Sequence, residues 1–230
     1  MKIGGFQKTS LLDYPDKISA IVWTSGCNFR CPFCYNKNLA LGTAELFPND
    51  EILSFLSKRK EQLEGLVISG GEPLIQEDIV DFVKRIKDLG LLVKIDTNGT
   101  FPEKLSELLE KHLVDYVAMD VKAPQGKYRQ LTGIDVDFTK IDASINLIKK
   151  KVPSYEFKTT FIPGFLKKED ILEIGEWLKG ANAYYLQQFK IIKPLISSTL
   201  ETTIPYPRDY LYDTLSAIRP FFKRCAVRGV

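Results

Sequence analysis

Ile18-Ser19-Ala20-Ile21-Val22-Trp23 runs within a few residues into Cys27-Asn28-Phe29-Arg30-Cys31-Pro32-Phe33-Cys34. The first six residues are a short apolar run and read as a buried strand. The second stretch is a tight loop with three thiols, separated by three and then two residues. No fourth cysteine stands beside them, and the remaining one is the distant Cys225.

Downstream, the same strand-then-polar-turn order recurs. Leu66-Val67-Ile68 leads to Gly70-Gly71-Glu72, and Leu91–Ile95 to Asp96-Thr97-Asn98-Gly99. Tyr116–Met119 leads to Asp120-Val121-Lys122, Tyr155–Phe161 carries Thr159 and Thr160, and Tyr184–Leu186 runs into Gln187-Gln188. Helical periodicity fills the intervals over 49–60, 77–89, 103–111, 139–150, 168–178 and 208–217. Six strand–helix units with short connections predict a parallel sheet in right-handed crossovers. That is fewer than the eight of a closed barrel, so the sheet is either open and curved or flat and doubly wound. Polar residues gather where the strands end, the side on which parallel α/β folds place their sites.

Composition narrows the class. The 230 residues are 44% hydrophobic and 27% charged, with a net charge of +3, so no bulk charge points to nucleic acid or a membrane surface. No stretch is apolar enough to span a bilayer, no secretory leader is recognisable, and a cytoplasmic location is expected. No linker or composition break divides the chain, so residues 1–230 are expected to form one domain. The cysteines read as ligands rather than a disulfide framework.

Thiolates suit zinc, copper or iron–sulfur centres. A closed zinc site wants a fourth ligand, which here means Cys225 or the lone His112; helical periodicity places that histidine as a packing residue at a helix end. An iron–sulfur cluster accepts cysteines at this spacing and tolerates a ligand that is not cysteine. Three thiolates then leave one iron of a four-iron cluster free.

Cys27–Cys34 resembles the cluster loop of radical S-adenosylmethionine (SAM) enzymes. Tyr35-Asn36, Leu39 and the N-terminal Gly5–Pro15 are similar to the activating enzymes of glycyl-radical proteins, most of all those of anaerobic ribonucleotide reductase. The resemblance covers nearly the whole chain and implies a partial (β/α)6 TIM-like barrel of the radical SAM type. It implies a [4Fe-4S] cluster on Cys27, Cys31 and Cys34, with SAM chelated to the open iron through its amino and carboxylate groups. Reductive cleavage would give a 5′-deoxyadenosyl radical, which takes a hydrogen atom from a backbone glycine of the partner. A flavodoxin- or ferredoxin-type protein would supply the electron.

The same resemblance assigns the remaining segments. Gly70, Gly71 and Glu72 would hold the SAM amino group, and Asp120 and Lys122 would reach its carboxylate. Thr159 or Thr160 would reach ribose or methionine, and Gln188 adenosine or methionine, where pyruvate formate-lyase activase carries a histidine. Asp96, Thr97, the Ala118 carbonyl and Asp120 would hold a monovalent cation, a hard ion suited to oxygen ligands. Lying between the fourth strand and its helix, the loop 127–133 is expected from its position to reach the barrel mouth, and no side chain is assigned as acid, base or nucleophile. Three other readings stay open. They are a compact radical SAM enzyme acting on a small molecule, a non-catalytic iron–sulfur electron-transfer protein, and a zinc-stabilised interaction module.

Overall fold

Eight strands form one sheet in the computed structural model, which describes residues 1–230. They are β1 (Ile3–Ser10), β2 (Ser19–Thr24), β3 (Gly65–Gly70), β4 (Leu92–Thr97), β5 (Tyr116–Asp120), β6 (Tyr155–Phe161), β7 (Ala183–Gln188) and β8 (Arg224–Arg228). The strands lie in chain order; β1 is antiparallel to β2, and β2 to β8 are parallel. The connections hold α1 (Lys37–Leu41), α2 (Asn49–Arg59), α3 (Ile79–Asp88), α4 (Pro102–Glu110), α5 (Tyr128–Thr132), α6 (Phe138–Lys151), α7 (Lys168–Trp177) and α8 (Arg208–Ile218). β2 to β7, each followed by helix, are the six expected units of a partial (β/α) barrel. β1 pairs only with β2 and β8 only with β7, so the sheet does not close. No helix is long and apolar enough to cross a membrane.

β1 and β8 are additions to the six-strand reading. Both are edge strands with one neighbour, and neither needs the apolar run of a central strand. Ile3-Gly4-Gly5-Phe6-Gln7-Lys8 and Arg224-Cys225-Ala226-Val227-Arg228 accordingly give no strand signal from pattern alone. The segment 127–133 is a second difference. It contains the short α5, with Tyr128 and Leu131 buried, and Lys127 donates to Asp170 at 2.7 Å and to the Phe165 carbonyl instead of facing the mouth.

Strand residues alternate between two unlike environments. Val22, Ile68, Ile95, Val117, Met119, Phe157 and Phe161 face the helices within a continuous core of 54 buried residues. The apolar residues on the inner face are few: Tyr14, Ile21, Val67, Tyr116 and Ala118 form a cluster of 5. Above them the inward positions are polar. Fold stability therefore rests on the outer layer, between sheet and helices.

Phe157 is fully buried in that layer and sits edge-on to Tyr155, with ring centroids 5.5 Å apart. Phe157→Ala is predicted to cost about 3–5 kcal/mol, read as a lowered urea midpoint at unchanged slope. An unchanged midpoint would place the main core elsewhere.

Candidate functional site

The cysteine loop is seated by backbone bonds from three directions. Gly26 and Cys27 donate to the Leu39 and Ala40 carbonyls of α1, at 2.7 and 3.1 Å. Arg30 N donates to the Thr132 carbonyl at the end of α5 at 2.7 Å, and its guanidinium folds back onto the Cys27 carbonyl at 2.6 Å. From the far side, Ile196 N and Ser197 N donate to the Cys34 and Pro32 carbonyls at 3.0 and 2.8 Å. Asn28 ties the loop to the turn after β4, donating to Thr100 Oγ1 at 2.9 Å and accepting from Asn98 Nδ2 at 2.8 Å.

All three thiols line one cleft of about 500 Å³ at the C-terminal ends of the strands. Cys27 Sγ accepts from Phe29 N at 3.4 Å, and Cys34 accepts a backbone bond from Asn36. Burial pushes the Cys27 thiol up to about 11 and Cys31 up to about 12, so these sulfurs are neutral unless metal holds them as thiolates. No three ligating side chains converge on a point that one ion would fill. All three cysteines line the same cleft, as a cluster held by three thiolates requires. Cys225 pairs in register with Tyr184 on β7 and does not line the cleft. His112 is exposed at the end of α4 with φ 53°, not packed as its helical spacing suggested.

Beside the thiols, β3 ends in two glycines for separate reasons. Gly70 has φ +111°, and an added Cβ would lie 2.4 Å from Thr24 N. At Gly71 a Cβ would lie 1.9 Å from the Gly26 carbonyl oxygen, because the two strand-end turns run against each other there. Glu72 then buries its carboxylate among three donors: Leu74 N at 3.1 Å, Thr97 Oγ1 at 2.8 Å and Asn98 N at 2.7 Å. Burial outweighs those donors and pushes its carboxyl up to about 7.

The facing strands carry charge. Asp96 is bound by Lys94 at 2.8 Å, Ser69 Oγ at 3.0 Å and Lys158 at 3.3 Å. Asp120 lies 3.3 Å from Lys122 and 3.7 Å from Lys158. Burial alone would push Asp96 up, but Lys158 and Lys94 together hold it well below the usual carboxylate range. Burial would likewise lower Lys122 and Lys158, yet their acidic neighbours, Asp120 foremost, together outweigh it and both stand above the ordinary lysine value. Lys94, Lys122 and Lys158 form one network with Asp96 and Asp120, in which Lys122 and Lys158 line the cleft and Lys94 does not. Lys122 there can meet an anionic group as a point charge.

Of the residues expected from sequence, the cleft brings together Cys27, Cys31, Cys34, Gly70, Gly71, Glu72, Asp96, Thr97, Asp120, Lys122 and Gln188. Gln188 donates to the Tyr206 carbonyl at 2.6 Å, while its Oε1 is buried without a partner. Two residues fall outside. Thr159 is fully buried on the outer face and donates to the Val121 carbonyl at 2.7 Å; Thr160 lines the cleft in its place. Ala118 is buried in the ladder between Asp96 and Glu156 and lines the inner apolar cluster, away from the cleft. Lys158, Lys94, Ser69, Asn28 and Arg228 are the polar residues that strand-end reading missed. Their signal was alternation: Lys94/Asp96 and Glu156/Lys158/Thr160 put polar groups at every second residue of otherwise apolar strands.

The radical SAM superfamily model matches residues 21–178. A Methanocaldococcus jannaschii protein, provisionally named a glycyl-radical enzyme activating enzyme, is 38% identical over 198 residues, covering 82% of this chain and 80% of its own. The 7-carboxy-7-deazaguanine synthase of Thermoplasma acidophilum is 40% identical over 107 residues, 46% of this chain and 48% of its own. Among solved structures, Streptococcus suis SuiB bound to precursor peptide SuiA shares the fold with a TM-score of 0.69 at 16% identity. That match takes in 91% of this chain, which spans about half of SuiB, 48%. The chain belongs to the radical SAM superfamily, as an enzyme of the glycyl-radical-activase type.

Membership brings SAM and a [4Fe-4S] cluster, and the residues fit both. The three cysteines line the cleft, the glycines leave room for a close-packed ligand, and Lys122 stands in the same cleft to meet a carboxylate. A monovalent cation does not fit as the resemblance implied. Asp96 and Asp120 are already bridged by Lys158, Thr97 Oγ1 is held between Glu72 and Gly99 N, and Ala118 lies off the cleft.

Glu72 gives this site a pH signature in the metal-free protein. Its folded value of about 7 lies above its unfolded value near 4.3, so the folded state keeps a proton that the unfolded chain releases between them. Stability is predicted to fall as pH rises through that window. Glu72→Gln should flatten this slope and lower stability by about 1–3 kcal/mol through the mismatched amide, measured by urea unfolding from pH 5 to 8.

Proposed function

We propose that this enzyme cleaves SAM reductively at a [4Fe-4S] cluster and installs a glycyl radical on anaerobic ribonucleotide reductase. The carrying observation is the likeness to the M. jannaschii activating enzyme along most of both chains, joined to a cysteine-lined cleft. When bound, reduced cluster and SAM supply a 5′-deoxyadenosyl radical that takes a hydrogen atom. Cys27, Cys31 and Cys34 hold the cluster. The Gly70–Glu72 turn receives the SAM amino group, because its glycines let the backbone approach and its carboxylate is held ready by three donors. Lys122, steadied by Asp120, receives the carboxylate as a point charge. Gln188 Oε1, buried and unpartnered, accepts from an N–H of the adenosine or methionine part.

Phe29 and Phe33 are buried beside the sulfurs and keep water from that wall. The unclosed sheet supports a protein substrate, since β1 and β8 leave a lateral opening for a peptide loop. Placement of the glycine close to the radical source then does most of the work. A flavodoxin- or ferredoxin-type donor supplies the electron from the cytoplasm.

A second reading, hydrogen abstraction from a small molecule, draws on the 40% identity to the deazaguanine synthase, which is confined to 46% of this chain. Anaerobic reconstitution with SAM, a reductant and the candidate reductase separates the two. The expected result is 5′-deoxyadenosine together with a glycine-centred electron paramagnetic resonance signal. Cleavage without that signal favours the second reading, and no cleavage rejects both. Replacing any one of Cys27, Cys31 or Cys34 by Ala should cut cluster iron and SAM cleavage to near background.

A further inference from the structure

We infer that Lys158 is a built-in cation: its ammonium occupies the place between Asp96 and Asp120 that a metal ion would take, and ligand binding in this cleft is independent of alkali ions. The inference rests on the cleft being the SAM site. Asp96 and Asp120 lie on adjacent strands but out of register, Asp96 being paired with Ala118. Lys158 on β6 pairs in register with Asp120, and its stem carries Nζ back across β5 to 3.3 Å from Asp96 Oδ2 and 3.7 Å from Asp120 Oδ2. One unit of positive charge thus sits between two mostly buried carboxylates, with side-chain exposures of 16% and 22%.

The oxygens a metal would use are committed. Asp96 Oδ1 is bound by Lys94, and Oδ2 by Ser69 as well as Lys158. Lys94 is itself anchored on the Asp13 carbonyl at 2.7 Å, so it is not free to swing away. A monovalent ion placed here would sit against Lys158 and meet like-charge repulsion among mostly buried side chains. Lys158 also acts through Asp120, whose other oxygen holds Lys122 at 3.3 Å. It is a positioning residue: by sharing Asp120 it sets where the Lys122 ammonium stands.

The closing experiment uses the cluster-reconstituted chain and reads SAM affinity by anaerobic calorimetry. It compares potassium chloride with tetramethylammonium chloride at equal ionic strength, the second cation being too large to enter. Wild-type affinity should change by less than about twofold, whereas Lys158→Ala should lose about tenfold or more in tetramethylammonium and recover most of it in potassium. Such rescue would not follow from a merely structural role. Rubidium anomalous scattering from crystals without SAM is the second readout. It should show no ion between Asp96 and Asp120 in the wild type and one in Lys158→Ala.

A wild type whose affinity rises about tenfold with potassium, or that holds rubidium between the two carboxylates, overturns the inference. So does a variant loss that potassium leaves unrepaired. If Lys158→Ala fails to fold, Lys158→Met keeps the stem and carries the same arms. If the wild type binds no SAM in either salt, the reading of the cleft fails, while the rubidium arm still decides the inference.

Discussion

One buried carboxylate holds three strand ends in place. Glu72 follows β3, accepts from Thr97 and Asn98 at the end of β4, and through its own backbone N–H donates to Gly26 after β2 at 2.9 Å. A carboxylate that takes several donors inside a protein fixes their mutual positions far more tightly than apolar packing, because each unpaired donor would cost its full desolvation. The cysteine loop depends on this knot, since Asn98 in turn grips Asn28. The absence of side chains at Gly70 and Gly71 is part of the same constraint, for a single Cβ at either would push the two turns apart.

The interior of the sheet follows a different logic from its outer face. Lys94, Asp96, Lys158, Asp120 and Lys122 form a continuous run of alternating charge, and Glu156 pairs with Arg228 while accepting from Tyr116 at 2.8 Å. Arg228 also lies over the Tyr185 ring, 3.3 Å from its centroid. Burying such groups is costly unless each is paired, and replacing the ladder by aliphatic residues would often be neutral or better for stability. An interior kept polar at that cost is explained by binding. Fixed dipoles and charges stand ready for a charged ligand and need no rearrangement when it arrives.

The six central strands and the six long helices were legible in the sequence because both report burial, which hydrophobic periodicity encodes directly. The helix α3 is an instance: Ile79, Phe82, Val83 and Ile86 are buried as their spacing required. β1 and β8 were not legible, since an edge strand with one partner carries little apolar signature. At the site, residues at the strand ends were found because turns concentrate polar residue types. The alternation Glu156/Lys158/Thr160 already set Thr160 rather than Thr159 on the polar face that lines the cleft. The register between strands was out of reach, and register decides that Lys158, two residues before Thr160 on the same face, lies between two aspartates of other strands.

The arrangement of charge also sets a direction. The β3 end offers a carboxyl and backbone oxygens, and the β5 and β6 ends offer the Lys122 and Lys158 ammonium groups. A zwitterion with an ammonium and a carboxylate on one carbon has one favourable orientation between such walls and meets like charge in the reverse one. The thiols of Cys27, Cys31 and Cys34 line the same cleft, so an amino acid held in this way presents both its groups to whatever the sulfurs carry. Affinity for the two ends separately would be modest in a cleft open to water. Discrimination between the two orientations is much larger, because the wrong one leaves the buried Lys122 ammonium facing a second ammonium. The charged interior therefore acts chiefly on how the ligand lies, which is what a radical reaction with one target hydrogen requires.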